Sequence, residues 1–273
     1  MDGVFVIDKP EGWTSHDVVA KFRGAAKTRR VGHLGTLDPM ATGVLPLVVG
    51  NATRLARFYT HAAKTYEAEI QFGFATDTYD RTGTPTSEPV TITLTEALLE
   101  AALQPFRGLI TQIPPQYSAK KVNGAPAYKS ARQNIAVELR PIEVEIHQLA
   151  VLSVRTSTVR VNIRCSGGTY IRTLAHDLGQ ALGCGAHLIN LRRTVSGDFT
   201  LAQANTLIPL SGMLPEFSTH TVDVATAMQI RQGRDFSAPH ETPHLKVVSE
   251  SGELIAIAEQ TNRCYYHPAI VLA

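Results

Sequence analysis

The chain has 273 residues, which at roughly 150 residues per domain points to two domains. Hydrophobic residues make up 44% and charged residues 18%, a composition that excludes a disordered chain and supplies ample core. No apolar run approaches the roughly 20 residues of a membrane helix, and the net charge of +2 is too small to class the chain by itself.

The predicted elements run as follows. Gly3–Asp8 (GVFVID) reads as a buried strand ending in the turn-rich KPEGWTS. Ser15 is the expected cap of a helix with Val18, Val19 and Phe22 on one face. Arg29–Pro46 holds three glycines and two prolines and reads mostly as loop, with a strand opening at Leu47–Val49 and a short helix at Thr53–Tyr59. Lys64–Phe74 alternates Tyr66, Ala68, Ile70 and Phe72 against Glu67, Glu69 and Gln71, the period of a half-buried strand. Thr76–Pro89 is a polar loop, and Thr95 caps a helix to Phe106. Ile142–Arg164 is an antiparallel hairpin turning near Thr156. Tyr170–Leu182 is a helix with Ile171, Ala175, Leu178 and Leu182 on one face, stopped by Gly183. His187–Val195 returns as a strand. After a linker near 208–220, prolines and short strands at Leu245–Ser249, Leu254–Glu259 and Cys264–Val271 indicate a small β-rich domain. The expected division is 1–212 and 213–273.

Charge follows the same division. Residues 1–212 hold 22 Lys/Arg against 17 Asp/Glu, whereas 213–273 hold 4 against 7. Within 21–64 there are eight basic residues and one acid, Asp38, and Ala101–Val137 has five basic residues and no acid. Such local fields suit a polyanion. The N-terminus lacks the basic segment of a signal peptide, and Cys165, Cys184 and Cys264 form no C-x-x-C. A reducing cytoplasm without structural zinc is expected. Phosphate-loop, dinucleotide, nucleophile-elbow and zinc-protease motifs are absent from the sequence. Pro239 and Pro243 disfavour a helix that would bring His240 and His244 to one metal.

Asp38 is the leading catalytic candidate. Pro39 holds its backbone out of the helical region, and the surrounding cations favour the ionised carboxylate, fit for a nucleophile or an electrostatic anchor. The alternative is a turn aspartate. His33 is either a surface histidine or a nucleic-acid contact. Tyr66 either packs in the core or forms a platform for a base. Arg172 is either solvated or the partner of a buried carboxylate, which its planar fork matches. Lys120 and Lys121 belong to a surface loop or contact phosphates.

GHLGTLDPMATGVLP around Asp38 closely resembles the signature of the tRNA pseudouridine-55 synthases, the TruB family. DKPEGWTS (8–15), KTYEAEIQFGFATDTYDRTG (64–83), PPQYSAKKVNGAPAYKSAR (114–132) and CSGGTYIRTLAHDLGQALGCGAHLINLRRTVSG (165–197) are similar to further family blocks, in the family's order. The resemblance implies an α+β fold with a mixed, largely antiparallel sheet flanked by helices. It also implies an RNA-clamping insertion at about 108–140 and a C-terminal PUA-like β-barrel. It implies isomerisation of the T-loop uridine of tRNA after base flipping, with no cofactor and no metal, by a protein that grips the T-arm and elbow; a monomer is expected because no exposed apolar helix or heptad pattern argues otherwise. By resemblance Asp38 is the nucleophile, Tyr66 stacks on the uracil and assists proton removal at C5, and Arg172 pairs with Asp38. Tyr170 and Leu191 line the uracil pocket, and His33 enters the space left by the flipped nucleotide. Lys9, Asp80, Lys120, Lys121 and Arg132 bind RNA or order the loops. The rival readings are a non-catalytic tRNA-binding or folding module, a nucleoside hydrolase, which would want two flanking carboxylates, and a guide-RNA-dependent synthase.

Overall fold

The computed structural model describes residues 1–118 and 137–272 and, between them, 120–122, 125–126, 133 and 135. The chain opens with β1 (Gly3–Lys9) and α1 (Ser15–Ala26). Thr14, not Ser15, caps α1: its side chain accepts from Asp17 N, and the Asp17 carboxylate accepts from Thr14 N, a closed capping box. Ser15 lies inside the helix with its hydroxyl turned to a different task, described below. Next come β2 (Val31–His33), β3 (Thr42–Val49), a 3-10 helix at Gly50–Tyr59, and β4 (Lys64–Phe72).

β3 starts five residues before the expected Leu47, in spite of Gly43 and Pro46. The ladder explains why. Pro46 stands opposite Val6 of β1, but Val6 sends both backbone groups to the other side, its N–H to Thr206 O and its carbonyl to Asn205 N. The position where proline lacks a donor therefore points away from β1, towards Leu34 just past the end of β2, where Pro46 still accepts from Leu34 N at 3.0 Å and only the return bond is lost. Gly43 pairs with Arg193 across the sheet, where a Cβ would lie 2.1 Å from the Arg193 carbonyl oxygen. Only glycine permits that approach.

α2 (Glu96–Leu103) is capped by Thr95, as expected, and followed by β5 (Gly108–Gln112). The short β6 (Lys121–Val122) and β7 (Ala125–Pro126) pair with each other. β8 (Ile142–Val154) and β9 (Thr158–Cys165) form the expected hairpin. β5 is an edge strand beside β8, so residues 108–112 belong to the sheet, not to an insertion. Then follow α3 (Ile171–Ala181), β10 (Ala186–Ser196), β11 (Phe199–Thr200) and β12 (Leu207–Pro209). The sheet order is β12-β1-β3-β10-β4-β9-β8-β5, with β2 beside β3 and β11 beside β10. Among the described pairs of this sheet, β3 and β10 run parallel and the others antiparallel. One face packs Leu45, Leu47 and Val49 of β3 against α1, α2 and α3. The other face turns Val4, Val6, Val44 and Val48 towards the 3-10 helix and the C-terminal segment.

The C-terminal segment holds β13 (Ser218–Val222), α4 (Val224–Arg231), β14 (Phe236–Ser237), β15 (His244–Ser249), β16 (Leu254–Asn262) and β17 (Tyr265–Val271). Their order is β13-β15-β16-β17-β14. α4 is a helix that the reading of short strands did not place within the β-rich segment. Asp223 accepts from Thr226 N and starts a helix whose alanines favour it. Beyond the core that it shares with the large sheet, this segment packs one of its own around Ile230, Leu245, Val247 and Tyr266.

Tyr59 joins the two parts. Its hydroxyl accepts from Leu214 N at 2.9 Å and donates to Asp198 Oδ2 at 3.0 Å. Leu214 has φ of 52°, a left-handed conformation that a non-glycine residue holds only when its surroundings demand it. Tyr59→Phe leaves a buried N–H without its partner and is expected to cost about 1–3 kcal/mol, measured as a lowered urea midpoint.

Candidate active site

The loop between β2 and β3 carries Asp38, and nearly all of its backbone is spoken for. Arg193 donates to Gly35 O at 3.0 Å, to Thr36 O at 3.5 Å and to Val44 O at 2.7 Å. Ser15 Oγ donates to Leu37 O and accepts from Leu37 N, at 3.1 and 2.8 Å. Asp38 O takes Ala41 N at 3.0 Å, and Pro39 O takes Gly12 N at 2.8 Å and Lys9 Nζ at 3.3 Å. Five consecutive carbonyls are thus held, and the loop behaves as a rigid display for one carboxylate.

Arg172, in the first turn of α3, meets that carboxylate side-on. Its Nε lies 2.8 Å from Asp38 Oδ2 and its Nη2 3.1 Å from Oδ1. The same guanidinium donates to Thr78 O at 3.1 Å and Tyr117 O at 2.9 Å, with Asp80 Oδ2 3.7 Å from Nη1. The Arg172 side chain is 5% exposed against 34% for Asp38, so a fixed cation presents a carboxylate that still reaches the cavity. Gln112 of β5 sets the start of α3: its amide accepts from Tyr170 N at 3.0 Å and donates to Tyr170 O at 3.1 Å. Asp80 is buried, and its Oδ1 accepts from Thr78 Oγ1, Thr82 N and Thr82 Oγ1.

A cavity of about 520 Å³ opens over Asp38, lined by Tyr66, Tyr170, Arg172, Leu191, Lys64, Ser118 and Lys120 among others. Tyr66 is on the inward face of β4 and directly opposite Arg193 in β10. Burial pushes its hydroxyl pKa up, while the Arg193 guanidinium pulls it down. Burial likewise raises Tyr170. Among the described lining residues Asp38 is the one carboxylate.

The remaining candidates fall elsewhere. His33 lines a neighbouring cavity of about 320 Å³ with Arg57, Tyr59 and Lys64. Its Nδ1 is buried without a hydrogen-bond partner, and burial lowers its pKa. Lys9 is fully buried and donates to Pro10 O, Trp13 O and Pro39 O, which orders the loop from inside and leaves no surface for RNA. Lys120 is exposed at the cavity. Lys121 lies in β6, described by its backbone, and Arg132 lies outside the described residues. In the C-terminal segment, which is expected to contact RNA, the basic Arg231 and Arg263 stand in exposed ion pairs with Glu253 and Glu241. Among the described residues no cluster of three or more His, Cys, Asp or Glu is placed to hold a metal, and no helix is long and apolar enough to cross a membrane.

Ser15, Gln112, Lys64 and Arg193 were missed by the sequence reading. Lys64 is 7% exposed and donates to Ala62 O at 3.0 Å. Burial, then the Arg193 guanidinium, push its pKa down to about 8 from 10.5. Between those values the unfolded chain holds a proton that the folded chain has shed, so stability rises with pH from 8 to 10.5. Lys64→Met is expected to flatten that rise in urea titrations across this window. Lys9, also near 8, retains a rise of its own.

A family model described as TruB family pseudouridylate synthase (N terminal domain) matches residues 23–171, and one described as tRNA pseudouridylate synthase B C-terminal domain matches 172–224. The chain is 52% identical to tRNA pseudouridine synthase B of Solibacter usitatus over 100% of both chains. It is 40% identical to the protein of that name from Thermobifida fusca, covering 100% of this chain and 99% of that one. A chain from the crystal structure of a Cbf5-Nop10-Gar1 complex shares the fold, with a TM-score of 0.74 at 24% identity over 99% of this chain and 85% of that one. The fold is therefore the expected mixed α+β arrangement, and the five-stranded C-terminal sheet fits a PUA-like domain. With the match over more than half its length and relatives of this similarity, the chain belongs to the TruB family of pseudouridylate synthases.

Proposed function

We propose that this protein converts the T-loop uridine of tRNA, position 55, to pseudouridine, with Asp38 as nucleophile. The observation that carries the reading is the Asp38 carboxylate, held side-on by buried Arg172 inside a cavity that also holds Tyr66. The uridine reaches that cavity by leaving its stack, at a cost of a few kcal/mol offset by phosphate contacts. The carboxylate then attacks either C6 of the base or C1′ of the ribose. The C1′–N1 bond breaks, the uracil turns between Tyr66 and Leu191, and C5 bonds to C1′. Tyr66 assists removal of the C5 proton, and N1 gains one, so the reaction balances as an isomerisation. A second carboxylate facing Asp38, which a nucleoside hydrolase would want, is missing from the described lining.

In this reading, residues 1–212 form the catalytic part and 213–273 a PUA-like RNA-binding part. Lys120 and the basic residues of 113–137 grip the T-arm and elbow, and His33 fills the space that the flipped nucleotide leaves. The protein works as a cytoplasmic monomer without guide RNA.

The test is an unmodified tRNA transcript tritiated at uridine C5, incubated with the protein alone. Tritium release with intact RNA and pseudouridine at position 55 is the expected result. Free uracil would identify a hydrolase, and binding without release a tRNA-folding module. Modification that needs an added guide would place the protein with guided synthases.

A further inference from the structure

Two buried cations stand behind the cavity without a counter-charge. Arg193 is fully buried and Lys64 nearly so. Both spend their hydrogen bonds on carbonyls, and among the described residues no carboxylate oxygen lies within 4.0 Å of either. They are also close together. A Cβ built on Gly35 would lie 3.8 Å from Lys64 Nζ and 3.5 Å from Arg193 Nη1. Desolvating two like charges side by side is costly, and an anion arriving in the cavity recovers much of that cost. Arg193 is fully buried and is not among the residues that line the cavity. Lys64 lines the cavity itself.

The chemistry supplies such an anion. If Asp38 attacks C1′, its oxygen bonds to carbon and the C1′–N1 electron pair departs with the uracil. If it attacks C6, the C5–C6 π pair moves out to the C4 carbonyl as an enolate. On either route the negative charge leaves the carboxylate, which becomes a neutral ester, and passes to the base. It returns to Asp38 when C5 has bonded to C1′ and the ester bond is broken. Arg172 is anchored at the carboxylate end by Thr78, Tyr117 and Asp80 and does not follow the charge.

We infer that Lys64 is a catalytic residue whose ammonium group stabilises the negative charge on the uracil, and that Arg193 is a positioning residue that fixes the Gly35–Thr36 backbone around it. The inference rests on the synthase reading above. Lys64 keeps its proton throughout and acts by charge alone. Its contribution therefore belongs to the transition state and intermediate, where an oriented cation in a water-poor site acts most strongly.

Lys64→Gln keeps a donor for Ala62 O and removes the charge, and Lys64→Arg keeps the charge. Both are compared with wild type in single-turnover tritium release, with tRNA affinity and thermal melting measured alongside. The expected result is a loss of about 10²–10³-fold in rate for Lys64→Gln, with tRNA affinity within about threefold and with at least tenfold recovery in Lys64→Arg. A folded Lys64→Gln protein as fast as wild type would overturn the inference and leave the synthase reading intact. So would a folded Lys64→Arg protein as slow as Lys64→Gln, or a rate loss matched by an equal loss of affinity. Wild type that releases no tritium would overturn both.

Discussion

Asp38→Asn is expected to reduce pseudouridine formation by about 10⁴-fold or more, the scale on which loss of a covalent nucleophile acts. The substitution preserves shape and removes the charge and the nucleophilic oxygen. Folding should survive it, because Arg172 keeps Thr78 O, Tyr117 O and Asp80 as partners, and Asp38 is itself partly open to solvent. The expected pattern is tRNA binding and melting temperature near those of wild type with tritium release at background. Turnover within tenfold of wild type in the Asn protein would take Asp38 out of the chemistry and reduce it to a turn residue.

Arg172→Met should damage both stability and activity. It removes one guanidinium from contact with two carboxylates and two carbonyls, all in a site where Arg172 and Asp80 are nearly fully buried. Removing one member of a buried ion pair leaves the other charge uncompensated and costs about 3–5 kcal/mol. Free of the cation, Asp38 also loses the orientation that its bidentate contact enforces, and a rate loss of about 10²-fold or more follows. Urea unfolding of Arg172→Met, of Asp38→Asn and of the double variant separates the two effects. The double variant should recover part of the stability lost by Arg172→Met, because two coupled charges leave together. Strictly additive losses would show that Arg172 acts through Asp80 and the carbonyls and not through Asp38.

Much of the framework was legible in the chain. The alternation of Tyr66, Ala68, Ile70 and Phe72 gave β4 its inward face, and the Thr95 cap, the 156 turn and the Gly183 stop were each placed by local chemistry that the structure repeats. The misreadings share a cause. β3 was hidden because Gly43 and Pro46 look like breakers, and only the ladder shows that one meets a carbonyl too closely for a side chain while the other turns its missing donor away from β1, to the end of β2. Ser15 looked like a cap because helix signals are local, whereas its hydroxyl serves Leu37. α4 was missed among strands although Asp223 and the following alanines signal it. β5 was lost in a basic, acid-free stretch because edge pairing with β8 leaves little mark on sequence.

The site shows the same limit. Asp38, Tyr66, Arg172, Tyr170 and Leu191, chosen from separate blocks of sequence, line one cavity. Lys64 and Arg193 gave no comparable signal: a lysine opening a strand and one arginine of a pair read as solvated, and burial alone sets them apart. What the sequence by itself determined was chemical identity and local form: which elements alternate, which loop holds one carboxylate among cations, and which family the ordered blocks resemble. Tertiary structure decided which charges meet. Ion pairing and desolvation depend on separations of a few ångströms between residues such as Asp38 and Arg172, 134 positions apart in the chain, and only the packing of α3 against the sheet sets that distance.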